Sequence, residues 1–397
     1  MPTRTVPLTW VLIVLAPVML VVGILLGGHP RWLPGPIADA LVGEDRRAAL
    51  EALDAIHDRY YRSVPYGDLS DAAIAGAVRD LRDRFSAYLS PQDYAMFRNA
   101  LDNSFSGIGV AVRDVRSGLR VETVYDGSPA DRAGIRVGDV VVAAQGRRLA
   151  NLSDEAATSL IKGRPGTVVA LRLRRGRRTL SKRVKRATIS IPVVESRIAN
   201  AGGRRAAYIR LTTFGPRSAH VQLAAAIRKQ RRRRAKGIVL DLRGNGGGLV
   251  REAQLVASLF IEDGTIVTTR GRAVPEQTLS AAGRAIAADM PTVVLVDGAT
   301  ASAAEIVAGA LQDRRHAPLV GTKTFGKGVF QEIMPLSNNG ALDITVGQYF
   351  LPSGRNLGGA GIEQGAGLKP SVVVRDDPDT RVDEALKRAL AVLAGRL

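Results

Sequence analysis

The sequence predicts an α/β protein with crossover β-α layers in its C-terminal half, a small β-barrel-like module ahead of it, and helices at the N-terminal end. Three observations predict this. From about residue 188 onward, apolar strand patterns alternate with amphipathic helical patterns, as parallel strands joined by crossover helices require. Between 101 and 187 the texture is short strands punctuated by glycine. From about 45 to 85, apolar residues recur at three and four, the period of a helix face. The 397 residues suffice for two or three domains. The changes of texture divide them into 1–36, 37–100, 101–187 and 188–397.

Residues Val6 to Leu26 carry no charge over 21 positions, enough to span a bilayer as one transmembrane helix. A cleaved signal peptide is the rival reading. Its apolar core would be shorter, and "GGHPRWLPGP" offers no small-x-small cleavage site. The sequence therefore favours an uncleaved single-pass anchor across residues 6–26. Arg4 and the amino terminus place the N-terminus in the cytoplasm, with Arg31 pulling the other way. The body then lies outside the cytoplasm.

A Pro/Gly spacer, Pro30 to Pro36, leads to helical patterns over 45–61 and 69–85. "SAYLSPQDYAMFRNAL" follows as a turn and a short helix. This N-terminal region reads as packing or self-association into a homo-oligomer, and nothing in it suggests chemistry. In the next module "GIGVAV" and "LRVETVY" read as strands, Pro129 to Ala133 as a short helix, and "SDEAATSLIKG" as a helix capped by Ser153. "GTVVALRLRR" and "RTLSKRVKRATI" form a hairpin around Arg175–Gly176. Beyond 188, "RAAYIRLTTF", "GIVLDLR", "PTVVLVDG" and "APLVGTK" are strands, with helices between them and a last helix over 381–394.

Composition narrows the chemistry. There is no cysteine, hence no disulfide framework, thiolate metal site or cysteine nucleophile. The four histidines are scattered and make no ligand pair, so a zinc site is not expected. Net charge is +19, with 47 arginines against nine lysines. Basic runs at 172–186 and 228–236 raise nucleic-acid binding. No aromatic residues interleave with them, which argues against base stacking. An anionic envelope polymer or lipid headgroup suits a body outside the membrane better.

Two stretches carry candidate chemistry. In "DGATASAAEIVAGAL", Ser302 falls at the start of a helix, before its free amides and positive dipole end. The plain alternative is a helix cap made by Ser302 or Thr300. In "GTKTFGKGVFQ" the pattern approaches a phosphate-binding loop. Gly328 stands where Ser or Thr should bind Mg²⁺, and a strand rather than a helix follows. Lys327 suits proton transfer instead, since lysine can lose its proton where arginine cannot. Its pKa would have to fall about three units, roughly 4 kcal/mol. Phe325, Val329 and Phe330 could supply the desolvation, or a nearby positive charge could help.

"TASAAEIVAGALQD" and "VGTKTFGKGVFQ" together resemble the active-site region of the carboxy-terminal processing peptidases, or tail-specific proteases. That family carries Ser-Ala-Ser-Ala-Ser-Glu-Ile, then Gly-Glu-x-Thr-Phe-Gly-Lys-Gly-x-x-Gln. The resemblance implies a ClpP/crotonase-like peptidase fold with Ser302 as nucleophile, Lys327 as general base and Gln331 orienting the lysine. "LDLRGNGGGLV" resembles the family's Asp-Leu-Arg-x-Asn-Pro-Gly-Gly, which implies Gly247 and Ala303 as oxyanion donors. Gly246 stands where the family has proline. "YFLPSGRNL" and, loosely, "RFSAYLSP" match two further family motifs, whereas Ser371 replaces a family aspartate.

Residues 101–187 resemble a PDZ domain through Gly107-Ile108-Gly109-Val110, Ala133-Gly134-Ile135 with Gly138-Asp139, and Gly163 with Pro165-Gly166-Thr167. In that family the first loop offers amides to a peptide's C-terminal carboxylate, and the peptide adds as a strand. Together the resemblances imply a membrane-anchored, extracytoplasmic serine endopeptidase acting near protein C-termini, without metal or cofactor. Their rival is an inactive homologue that scaffolds peptides.

Overall fold

The computed structural model describes residues 44–397, apart from 102, 284, 360–363 and 378. The apolar run at 6–26 lies outside the described residues. Among the described residues, no helix is long and apolar enough to cross a membrane. The chain divides into two compact units, 1–82 and 83–397.

The described part of the first unit consists of two helices, Glu44–Arg59 and Tyr66–Asp80. The second stops five residues short of the expected Phe85. Arg82 turns to φ 54°. At the start of the second unit, Asp83 takes the Phe85 amide at 2.9 Å and the Ser86 hydroxyl at 2.6 Å. An aspartate that captures nearby donors offers the backbone an alternative to the helix.

In the second unit, the β-rich module is a sheet of Val110–Val115, Gly118–Val124, Val140–Ala144, Val168–Arg175 and Arg178–Lys185, with Arg147–Arg148 pairing at one side. The expected hairpin is there, Val168–Arg175 against Arg178–Lys185. "GIGVAV" is not one strand. Ser104–Gly107 pairs with Ala187–Ser190, and the chain breaks at Ile108–Gly109 before resuming at Val110. Gly109 has φ 86°, and a Cβ there would lie 2.3 Å from the Ser128 side chain. Only glycine fits. Ile108, Leu119, Val141, Leu171, Leu173 and Val184 fill the module's own core.

The C-terminal half realises the expected alternation. One six-stranded sheet runs Val194–Ala201, Arg204–Leu211, Ile238–Asp241, Thr292–Val296, Leu319–Gly321, Val372–Val373. Only the first pair is antiparallel. Ile238–Asp241 and Thr292–Val296 are buried at every position, as strands covered on both faces must be. Leu240, Val294 and Val296 point into a core shared with the helices Ala219–Arg232, Val250–Ala257 and Ala303–Arg315. Val239, Val293 and Leu295 point the other way, onto Leu386, Ala389 and Leu393 of the helix Glu384–Ala394. The period-two alternation of strand side chains thus builds a three-layer stack.

A second, antiparallel sheet stands beside the first. Ala341–Phe350 lies between Ala87–Leu89 and Thr265–Arg270, with Gln277–Ser280 beyond, and it also pairs with Val329–Pro335. Ala87–Leu89 comes from the region read as packing or self-association, and here it packs along this central strand.

Candidate active site

Three neighbouring parallel strands end on the same side of the main sheet. Ile238–Asp241 runs into the loop 242–249, Thr292–Val296 into the loop ending at Ser302, and Leu319–Gly321 into the loop holding Lys327. The carboxyl ends of parallel strands are where open α/β sheets place their chemistry. Three of the residues singled out from the sequence, Gly247, Ser302 and Lys327, sit there.

Ser302 precedes the helix Ala303–Arg315 with φ 55° and ψ −119°. A non-glycine residue in that region costs of order 1–3 kcal/mol, held only where the surroundings over-determine it. What holds it is Glu305, one turn into the helix and fully buried. Glu305 Oε2 accepts from the Ser302 amide at 3.0 Å and from the Lys327 amide at 3.0 Å. Its other oxygen accepts from the Thr324 hydroxyl at 2.5 Å and the Gly326 amide at 2.7 Å. Burial raises the carboxyl's pKa above its ordinary value, and these four donors offset only part of the rise. Glu305 was no candidate from the sequence. The signal was present, since Ser-x-x-Glu at a helix start is a capping-box pattern.

Lys327 is flanked by two glycines with different tasks. Gly326 turns the backbone at φ 87°. Gly328 does not need a positive φ. A Cβ there would lie 2.2 Å from Asn356 Oδ1 and 2.3 Å from the Gly358 amide, so it permits close packing rather than a tight turn. The fully buried Tyr349 adds a hydrogen bond from its hydroxyl to the Lys327 carbonyl. The lysine amine donates to Gln331 Oε1 at 2.6 Å. Gln331 Nε2 donates onward to Thr345 Oγ1 at 3.0 Å. Among the described residues, no hydrogen bond joins the Ser302 hydroxyl to the Lys327 amine.

Burial lowers the Lys327 pKa from its ordinary value, against the charges of Asp343, Asp83 and Glu305. The local field is therefore negative, not the positive one the sequence allowed for. Asp343 is itself raised by burial, and its Oδ1 is buried without a hydrogen-bond partner. The Phe85 ring lies 5.0 Å from the amine and packs edge-on against Phe325. Asp83, Phe85 and Asp343 were all missed in the sequence. Nothing in local spacing could link residues 83–86 to a strand some 250 positions later.

The loop 242–249 closes on the serine. Gly247, at φ 101°, comes so near that a Cβ would lie 2.8 Å from the Ser302 Cβ and 3.0 Å from the Ala303 nitrogen. The Ala303 amide has no acceptor among the described residues. The Gly247 amide donates to Asn245 Oδ1 at 2.9 Å and reaches another acceptor only by giving that bond up. Asp241 at the end of the preceding strand and Arg243 of this loop do structural work. Arg243 forks between Asp241 and Asp383, tying the loop to the C-terminal helix.

In the β-rich module, a cavity of about 60 Å³ lies between Gly107, Ile108 and Val110 on one side and Thr158, Ile161 and Lys162 on the other. The Ile108 and Gly109 amides have no acceptor among the described residues, and Phe105 closes the end.

The description "Peptidase family S41" fits residues 205–366, and "PDZ domain" fits 106–185. The chain is 34% identical over 313 residues to the carboxy-terminal-processing protease of Bartonella bacilliformis, covering 77% of this chain and 69% of that one. It is 32% identical over 314 residues to the carboxy-terminal processing protease CtpA of Bacillus subtilis, covering 79% and 66%. It thus spans about two thirds of each relative's length. Among solved structures, the photosystem II D1 C-terminal processing protease superposes with a TM-score of 0.50 at 26% identity, covering 88% of this chain and 97% of that one. With two strand-end loops pinned to a buried glutamate, a third closing on Ser302, and a PDZ domain ahead of them, the chain belongs to peptidase family S41, the serine endopeptidases that include the carboxy-terminal-processing proteases.

Proposed function

We propose that this protein is a membrane-anchored, extracytoplasmic endopeptidase that cleaves proteins near their C-termini by a Ser–Lys mechanism. The observation that carries the reading is the shared grip of Glu305 on the Ser302 and Lys327 amides, with the lysine amine bonded to Gln331. A neutral amine that donates one N–H to Gln331 Oε1 keeps its lone pair for another proton. Ser302 Oγ attacks the scissile carbonyl carbon while its proton passes to Lys327 Nζ. The oxyanion takes the Ala303 amide, and the Gly247 amide if Asn245 releases it. One such donor is worth about 10²–10³ in rate. Collapse of the tetrahedral adduct breaks the C–N bond, and Lys327 returns the proton to the departing amine. Water then attacks the acyl carbon, its proton passing to Lys327; the bond from that carbon to Ser302 Oγ breaks, and Lys327 returns the proton to Oγ. Besides substrate and water, each step uses only the protein's own groups.

The PDZ domain would hold the substrate's C-terminal carboxylate on the Ile108 and Gly109 amides, with the peptide laid between the strand from Val110 and the helix Asp154–Ile161. The boundaries at 36, 100 and 187 divide anchor, helical region, PDZ domain and peptidase domain in this reading. Residues 6–26 supply the anchor, and the helical region is the candidate for self-association.

The inactive-scaffold reading keeps one observation in its favour, the missing hydrogen bond between Ser302 and Lys327. Peptide cleavage by wild type beside Ser302→Ala and Lys327→Ala decides between them. Turnover by wild type alone supports the peptidase. No turnover by any, with peptide still bound, supports the scaffold.

A further inference from the structure

The base has a second set of neighbours that the Ser–Lys reading leaves idle. Asp83, Arg84, Phe85 and Ser86 open the peptidase-bearing unit, far from Lys327 in sequence, and converge on it in space. Ser86 Oγ accepts the Thr345 amide at 2.9 Å and donates to Asp83 Oδ2 at 2.6 Å. Burial raises the Asp83 carboxyl's pKa, and the Ser86 and Thr345 side chains more than offset it. Thr345 accepts from Gln331, which accepts from Lys327. The amine thus donates to the Gln331 amide oxygen and the Gln331 nitrogen to the Thr345 hydroxyl, while the Thr345 backbone N–H donates to Ser86, whose hydroxyl donates to Asp83. Phe85 completes the enclosure with its ring 5.0 Å from the amine. Arg84 lies over the Phe85 and Phe325 rings at 5.4 and 5.7 Å.

We infer that Asp83–Ser86 is a positioning element of the active site: the Asp83 carboxylate anchors the Thr345–Gln331 relay that holds Lys327, and the Phe85 ring forms a wall beside the amine. The inference rests on the Ser–Lys reading. Burial, the largest influence, favours the neutral amine, and three carboxylates oppose it. Asp83 faces the amine from this segment, Asp343 from the strand Ala341–Phe350 and Glu305 from the helix Ala303–Arg315, all favouring the ammonium. The Phe85 ring adds to the ammonium side, because a ring face attracts a cation. The segment therefore holds the base in place and also delays its deprotonation.

The sign of the consequence separates this role from mere structural support. Asp83→Asn removes a negative charge, so the amine loses its proton at lower pH. The acid limb of kcat/KM moves down by about one pH unit. Phe85→Leu keeps the site dry but removes the ring's attraction, moving the limb down by about half a unit. Phe85→Tyr restores the wild-type limb. A residue that only held the fold would lower the rate and the melting temperature without moving the limb.

The experiment is the pH profile of peptide cleavage by the full chain and these variants, with thermal melts as the folding control. Limbs displaced to lower pH in Asp83→Asn and Phe85→Leu support the inference. Limbs unmoved, or displaced upward, overturn it. If Asp83→Asn does not fold, the Phe85 pair decides alone. Lys327→Ala separates the two levels. Activity surviving in that variant ends the Ser–Lys reading itself. Activity lost there, with the limbs of the other variants unmoved, ends only the inference about Asp83–Ser86.

Discussion

Ser302 and Lys327 hang their backbone amides on the same oxygen, Glu305 Oε2, at 3.0 Å each. The two residues leave different strands, and no bond joins their side chains, yet their backbones cannot drift apart while that carboxylate is in place. Gln is the sharp test of it. Glu305→Gln keeps the volume but turns one acceptor into a donor that faces occupied N–H or O–H groups. Leaving buried donors unmatched costs about 2–4 kcal/mol. The expected result is a lower melting temperature and a kcat reduced at least tenfold, with KM little changed. Wild-type kcat in a variant that melts early would mean that Glu305 serves the fold and not the geometry of the site.

Lys327→Arg keeps the charge and removes the ability to shed it. The proposal expects no detectable cleavage from a folded protein. In the wild type, the lowered lysine pKa puts the active, neutral form at lower pH than an ordinary lysine would allow. Thus kcat/KM climbs as pH rises through that pKa and levels off before about 10.4, the unperturbed value. A rate that falls over the alkaline range, or survives in Lys327→Arg, would remove lysine from the role of base.

The glycine run after Asn245 divides into one replaceable and one irreplaceable position. Gly246 is not in the left-handed region, and a Cβ there meets nothing within 4 Å. Its amide has no acceptor among the described residues. Gly246→Pro restores the residue expected from the family pattern and narrows the unfolded ensemble, adding about 0.4–1 kcal/mol of stability. Gly247→Ala does the reverse, since φ 101° and the approach to Ser302 both exclude a methyl group. Denaturant melts of the two variants should move in opposite directions.

Much of this was legible in the sequence, for physical reasons that differ by element. Strands buried on both faces announce themselves as unbroken apolar runs, so Ile238–Asp241 and Thr292–Val296 could be placed without homologues. Ser302, Lys327 and Gln331 lie within one stretch of chain whose spacing can be recognised. Asp83 and Phe85 could not be read this way. Their meaning comes from a partner, Thr345, that the fold delivers across 259 positions between it and Ser86. The helical pattern over 69–85 that includes them is cut short: the helix ends at Asp80, and Asp83's own side chain bonds the Phe85 amide.

Arg243 offers a test away from the chemistry. Its guanidinium bonds Asp241 and Asp383 at 2.7 and 2.8 Å and is mostly buried. Asp241 in turn accepts from the Tyr208 hydroxyl, whose pKa burial and that carboxylate push up to about 12. Removing the cation strands buried carboxylate, so Arg243→Met should cost about 3 kcal/mol. The pH dependence has a definite sign. Burial alone would raise the Asp383 carboxyl, but the hydrogen bonds from Arg243 and the Leu386 amide, with the charges of Arg243 and Arg197, together outweigh it and hold the pKa below its ordinary value. The folded state then binds fewer protons than the unfolded one, and the contribution is full above the unfolded pKa near 3.9. It disappears as pH falls through the lower, folded value. Asp383→Asn should therefore lower the melting temperature at neutral pH and converge on wild type as the solution is acidified. A gap between the two that persists, unchanged, under strongly acidic conditions would show that the charge on Asp383 is not what fastens the C-terminal helix to the loop beside the active site.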